Sequence, residues 1–208
     1  MIKKVIFDLD DTLIINKDNY IDNYNIIINK YNLNSSIEEF YNVIGDYELS
    51  TNKYNKYELL ELINKHYNTN FNIELVNDII RAVGKWTDKA SEEVVSTLKY
   101  LSQKYELYVL TNWFYDSQSE RLKTAGIYNY FKDIKSADII TKPNEAAFKQ
   151  FFDNCSAEEC VMIGDNYKID IEVPNTLGMK TILCNFKNKD NNYEGNVITK
   201  FGELVDLL

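Results

Sequence analysis

Histidine is almost absent from this chain: His66 is the single one in 208 residues. A Ser-His-Asp triad would have to be built on it, and no GxSxG nucleophile elbow accompanies it. There is no HExxH, and no His/Cys spacing suits zinc. Cysteine is scarce as well. Cys155, Cys160 and Cys184 form no CxxC pair, and such an odd, sparse set points to reduced thiols and a cytoplasmic setting. Arginine is limited to Arg81 and Arg121 in a chain of formal net charge -9. A protein this acidic gains little by approaching a nucleic-acid backbone or an anionic membrane, so neither is expected as a partner. An anionic small substrate remains open, provided a local cation offsets the field. No apolar run approaches the ~18 residues that span a bilayer. The first one, Val5-Ile6-Phe7, is broken by Asp8 and Asp10, which is unlike a signal peptide. Repeats and long low-complexity linkers are missing too. The chemistry left to such a chain is that of carboxylates and lysines.

The length suits one core of ordinary size, or one domain carrying an inserted subdomain. With 45% hydrophobic and 26% charged residues the composition is that of a soluble globular protein. Val5-Ile6-Phe7 reads as a buried strand. From about Asn19 to Lys85 the apolar residues recur at helical spacing, as in Ile21, Tyr24, Ile27 and Ile28. Ser36 with Glu39 is a capping-box pattern for the next helix. Ser91 reads as the N-cap of a helix through Leu101. Beyond it, strands and helices alternate. Leu107 to Thr111 reads as a strand, Asp116 to Thr124 as a helix ended by Gly126, and Lys135 to Asp138 as a short strand. Pro143 to Phe152 reads as a helix, and Cys160 to Ile163 and Lys180 to Cys184 as strands. The alternation predicts an α/β fold, a Rossmann-like, flavodoxin-like parallel sheet between two helical layers. The all-helical stretch reads as an insertion. The expected division is therefore a core of residues 1–15 and 88–208 and a helical cap of residues 16–87.

In a parallel sheet, ligands bind beyond the carboxyl ends of the strands. Here the first strand ends in Asp8-Leu9-Asp10-Asp11-Thr12. Clustered carboxylates repel one another unless a cation sits among them, and a hard dication with oxygen ligands is the obvious one. Taken alone, a solvated turn accounts for these residues equally well. Three further strand ends carry polar groups: Thr111-Asn112, Lys142-Pro143, and Gly164-Asp165 with Asp170 five residues on. Each has a plainer reading by itself, Thr111 and Asp170 as helix caps and Lys142 as a solvated loop lysine. All four junctions would nevertheless meet on one edge of the sheet.

In that order, Phe-Asp8-Leu-Asp10-Asp11-Thr12-Leu, Leu-Thr111-Asn, Lys142-Pro143 and Gly164-Asp165-(four residues)-Asp170 resemble the four motifs of the haloacid dehalogenase superfamily. The segments from Arg121-Leu122 to Phe131 and from Leu177 to Thr181 are similar to that family as well. The resemblance covers the core and implies a subfamily with a helical, C1-type cap. It implies a Mg²⁺-dependent phosphatase of a small phosphorylated metabolite, of nucleotide or sugar phosphate type, with Asp8 as nucleophile. Asp10 would be the acid and then the base, its proton affinity raised by neighbouring carboxylates. Asp8, the carbonyl of Asp10 and Asp165 would hold Mg²⁺. Thr111, helped by the backbone of Asn112, would bind a phosphate oxygen, and Lys142 would stabilise the transferring phosphoryl group. Asp170 would orient the metal site or Lys142 from behind.

Departures from the family pattern matter as well. Asp11, where the family often has glycine, reads as an outward flap residue, and His66 as an exposed cap residue. Pro174 falls where a continuous helix is expected and is read as kinking or shortening it. Lys85, Arg81 and Trp113 are candidate substrate contacts by position and type, with packing the plainer role for Trp113. A monomer or homodimer is expected. A haloacid dehalogenase is one alternative, but Asp10 would be idle there because halide leaves without a proton. A sugar phosphomutase is another, disfavoured because the hinge Ile14-Ile15-Asn16-Lys17-Asp18 contains no histidine. A non-catalytic scaffold is the third, although neither the nucleophile nor the lysine is lost.

Overall fold

A computed structural model describes residues 1–15, 20–187 and 193–208. Part of the hinge, Asn16 to Asp18, lies outside the described residues, as do the expected cap boundary at residue 16 and the expected helical start at Asn19.

Among the described residues, six parallel strands form one sheet: β1 (Lys4–Phe7), β2 (Glu106–Thr111), β3 (Asp133–Ser136), β4 (Cys160–Gly164), β5 (Lys180–Cys184) and β6 (Asn196–Ile198), in the order β3-β2-β1-β4-β5-β6. The central strand β1 is buried along its length. Successive side chains of a strand point to opposite faces, so the register sorts the apolar residues into two layers. Phe7 pairs with Val109 and Ile163 and joins a cluster with Leu98 and Leu122 on one face. Ile6 pairs with Tyr108 and Met162 and joins Phe148 and Phe151 on the other. Helices α5 (Glu92–Leu101) and α6 (Tyr115–Ala125) carry the first layer's residues, and α7 (Glu145–Lys149) and α8 (Glu172–Thr176) carry part of the second. The chain closes with α9 (Leu204–Leu207).

Between β1 and α5 lie α1 (Tyr24–Lys30), α2 (Ile37–Ser50), α3 (Lys56–Tyr67) and α4 (Glu74–Val83). Ser36 accepts from the Glu39 amide at 3.0 Å and Ser91 from that of Val94 at 3.2 Å, so both expected caps form. Phe40, Leu59, Ile63, Leu75 and Ile79 build a third hydrophobic cluster, which Trp113, Phe114 and Ala137 join from the sheet's loops. Two backbone bonds, Tyr54 N–H to Ala137 O at 2.8 Å and Thr141 N–H to Asn52 O at 2.9 Å, fasten the helices over the sheet's carboxyl edge.

Several elements differ from their expected bounds. Strand β3 begins two residues early, at Asp133, because its register is fixed by pairing with Tyr108. The helix expected from Pro143 to Phe152 is only α7, started by the Asn144 side chain at the Ala146 amide. Strand β6 has no counterpart in the sequence reading. Ahead of Pro174 the chain makes a π-helical turn, Tyr167–Ile171, and Pro174 then sits in the first turn of short α8, where its missing N–H removes no helical bond. No helix among the described residues is long and apolar enough to cross a membrane.

The helical layer carries one acid-labile link. Asp78 on α4 accepts from Lys30 and from the Tyr31 hydroxyl on the α1 side, and from Arg81 at 2.5 Å. Burial acts to raise its carboxyl, but these three donors outweigh it and hold the group well below the usual range. A depressed carboxylate stabilises the fold above the unfolded value of ~3.9 and loses that contribution as pH falls further. Asp78→Asn is expected to cost on the order of 1 kcal/mol at pH 7. In thermal unfolding its deficit relative to wild type should shrink as the pH drops below ~4. A deficit independent of pH would refute the link.

Candidate functional site

The candidate site grows from the carboxyl ends of β1, β2 and β4 and the loop after β3. Asp8 continues β1, its N–H bonded to Ile163 O at 2.8 Å, and is buried. Lys142 is buried too. Its Nζ donates to Asp8 Oδ1 at 2.5 Å and to Asp170 Oδ1 at 2.7 Å. Asp170, in the π-helical turn, is 1% exposed and takes the Asn166 amide on its other oxygen at 3.1 Å. Asp170 thus touches Lys142 directly. Gly164 makes the approach possible, since a Cβ there would lie 2.4 Å from the Asp170 side chain. Asn112 clamps the Lys142 peptide from both sides, accepting from its N–H at 2.8 Å and donating to its carbonyl at 3.0 Å.

Asp165 follows β4, and oxygens of Asp8, Asp165 and Asp170 lie within 4.8 Å of one another. Burial pushes the Asp8 carboxyl well above its usual range, Lys142 opposes this, and the charges of Asp170 and Asp10 add to it. Burial disfavours the Lys142 ammonium, but Asp170 and Asp8 more than compensate and hold it above its usual value. Three carboxylates against one ammonium leave excess negative charge in a set of hard oxygen donors, and that composition fits a divalent cation.

Asp10 sits in surroundings the sequence reading did not foresee. Arg121 on α6, with its side chain 3% exposed, grips both Asp10 oxygens, Nη2 to Oδ1 at 2.6 Å and Nη1 to Oδ2 at 3.0 Å. The carboxylates expected to govern Asp10 are therefore opposed by a guanidinium. Gln118, one helical turn earlier, donates to the buried Thr111 hydroxyl at 2.8 Å and accepts from Arg121 Nη1 at 3.0 Å. Residues 118 and 121 share a helix face. The available signal was an arginine on a half-buried helix of an acidic chain, which must find a carboxylate.

A cavity of about 210 Å³ opens beside Asp10, Asn112, Gln118 and Arg121, and Tyr24, Tyr41 and Glu48 from the helices close it with Trp86 from the loop after α4. By surface area Glu48 is exposed, with its carboxyl turned toward the crowded mouth of the cavity. Burial nevertheless pushes its carboxyl up to about 7, with the Tyr54 hydroxyl opposing and the Asp10 charge adding.

The candidate substrate contacts fare unequally. Arg81 pairs with Asp78 and Glu74 on the surface, and Lys85 is exposed and does not line the cavity; its neighbour Trp86 does. Trp113 borders the cavity but is 5% exposed, with its ring edge-on to Tyr54 and Phe114. Its Nε1 donates to Ser117 at 3.1 Å, and Ser117 donates to Ile80 O at 2.7 Å. Its φ of 135° is a conformation that side-chain-bearing residues rarely adopt. Packing is thus its dominant role. Asp11 pairs with Lys187 at 2.5 Å, and exposed His66 lies 3.1 Å from Glu39.

Comparison with known proteins agrees with this geometry. Residues 5–184 match the family model for haloacid dehalogenase-like hydrolases. The glyceraldehyde 3-phosphate phosphatase of Methanocaldococcus jannaschii is 28% identical, an alignment covering 100% of this chain and 97% of that protein. The pyrimidine 5'-nucleotidase PynA of Streptococcus pneumoniae is 29% identical across 52% of this chain and 48% of its own length. YfnB of Bacillus subtilis is 34% identical, but over only 44% of this chain and 41% of its own length. Its magnesium-bound crystal structure superposes with a TM-score of 0.71 at 21% identity, covering 99% of this chain and 98% of that one.

The shared ammonium makes a stability prediction. Lys142→Met leaves two buried carboxylates unpaired and should cost ~3–5 kcal/mol in urea unfolding without divalent ions. Adding Asp170→Asn should return part of that loss, a non-additivity expected of partners in one network. Strict additivity of the two substitutions would show that the network is not coupled.

Proposed function

The chain belongs to the haloacid dehalogenase-like hydrolases, and on that premise we propose that it hydrolyses small phosphomonoesters through a phospho-aspartate on Asp8. The observation that carries this reading is the Lys142 ammonium shared by buried Asp8 and Asp170, with Asp165 beside them. An anionic nucleophile can meet an anionic phosphate only where charge is compensated.

The division into a core of residues 1–15 and 88–208 and a cap of residues 16–87 belongs to this reading, since the helices cover the edge where chemistry occurs and would exclude water. Asp8 attacks phosphorus while the bond to the leaving oxygen breaks, and Asp10 gives its proton to that oxygen. Water then attacks phosphorus, Asp10 takes the proton, and the bond between Asp8 and phosphorus breaks to release phosphate. Lys142 holds Asp8 and offsets charge on the phosphoryl group, and Asp170 keeps Lys142 in position. Thr111 and the Asn112 backbone bind a phosphate oxygen, and Asn112 fixes the Lys142 loop. Arg121 and Gln118 position Asp10. Asp8, Asp165 and the carbonyl of Asp10 would hold Mg²⁺, which supplies further charge neutralisation when bound.

Phosphatase-named relatives support a nucleotide or sugar phosphate as substrate. Asp10 argues against a dehalogenase, because an alkoxide leaving group needs a proton and halide does not. A cytoplasmic location, supported by three free thiols, and a monomer or homodimer complete the reading.

The tests follow from the roles. Asp8→Asn should abolish phosphomonoester turnover while leaving the unfolding transition in place. Asp10→Asn should slow alkyl phosphates by ~10²–10⁴-fold and p-nitrophenyl phosphate far less, because nitrophenolate leaves without a proton. Equal slowing of both substrates would remove Asp10 from the acid role. Chelation should stop turnover and Mg²⁺ restore it; turnover that survives chelation would refute the metal requirement.

A further inference from the structure

The cavity beside Asp10 has a composition that the phosphatase reading does not use. It adjoins the group assigned to protonate the leaving oxygen, so whatever fills it is the leaving group. Its helical wall is aromatic. Tyr24 and Trp86 meet edge-on with ring centroids 4.8 Å apart, and Tyr41 stands beside them. Such walls suit the flat or C–H-rich face of a ring.

The charges on the wall are more discriminating. Arg121 is the one cation among the described lining residues, and both its terminal nitrogens are committed to Asp10. Glu48 lines the same cavity, its carboxyl hydrogen-bonded with the Tyr54 hydroxyl and close enough to Asp10 for their charges to interact. A second anion on the substrate would therefore face Asp10 and Glu48, the latter fully charged only above about pH 7, and no uncommitted guanidinium. A hydroxyl or amino group would instead find an acceptor in Glu48, and rejection by like charge is a strong source of specificity.

We propose that this cavity receives an uncharged ring carrying hydroxyl or amino groups, and that Glu48 selects against leaving groups bearing a carboxylate or second phosphate. The assignment rests on the phosphatase reading and narrows it to neutral leaving groups. Glu48 is a specificity-determining residue in it.

Matched esters test it. Uridine 5'-phosphate and orotidine 5'-phosphate differ by one ring carboxylate, and glycerol 3-phosphate and 3-phosphoglycerate by a hydroxymethyl against a carboxylate. In the wild type, kcat/KM should favour the neutral member of each pair by at least tenfold. Glu48→Lys should narrow that ratio by tenfold or more, and Glu48→Gln by less. A wild-type ratio at or below one, or a ratio unmoved by Glu48→Lys, overturns the assignment. If the neutral esters are hydrolysed and Asp8→Asn abolishes that hydrolysis, such a result removes the leaving-group assignment alone. If no ester in the set is hydrolysed with Mg²⁺ present, the phosphatase reading falls and this assignment with it.

Discussion

The Lys142 ammonium, shared between Asp8 and Asp170, is the contact on which the rest of the site depends. Both carboxylates are buried, and so is the lysine. Taking such charges out of water costs several kcal/mol per ion unless the geometry returns it. Here the return comes from short contacts of one nitrogen to both acids, 2.5 Å and 2.7 Å. The surrounding structure serves that contact. Asn112 fixes the peptide of Lys142, Gly164 clears space for Asp170, and the Asn166 amide satisfies the remaining Asp170 oxygen. Asp165 adds a charge that the lysine does not cover, and this shortfall is what suits the site to a dication.

Beside this centre stands a second ion pair with a different balance. Asp10 and Arg121 match charge for charge through two parallel bonds, the geometry in which a guanidinium holds a carboxylate most firmly. One acid is thus poised by an ammonium inside the sheet edge and the other by a guanidinium on a covering helix. Two carboxylates two positions apart in sequence consequently differ in partner, burial and neighbours. Such division of environment lets neighbouring carboxylates on one edge take different tasks, as the proposed nucleophile and proton carrier require.

The sheet edge was legible because strands and their ends follow local rules. A buried parallel strand reads as an apolar run, its carboxyl end is where ligands gather, and four such ends carrying Asp, Thr, Lys and Asp had to meet once the strands paired. Arg121, Gln118 and Glu48 were not legible as site residues. Their inclusion depends on the rotation of α6 and α2 against the sheet, which sequence spacing constrains only to within a helix face. The exchange of Lys85 for Trp86 is the same limit at one residue's resolution. The helix expected after Pro143 shortened to α7, and β3 moved by two residues; both are fixed by pairing and capping rather than by propensity.

Trp113 illustrates how the two layers are joined. A strand-end loop beside Thr111 invites a role in substrate contact, yet the indole is turned into the helical cluster and tied through Ser117 to the carbonyl of Ile80. The end of β2 and the loop after it therefore hold Thr111 against Gln118, Asn112 against the Lys142 peptide and Trp113 against the helices. Any shift of the helices against the sheet must pull on the residue that follows Asn112, whose side chain grips Lys142. The helical cluster and the position of the central ammonium are thereby linked through three consecutive residues, the last of which holds a backbone conformation that side-chain-bearing residues rarely adopt.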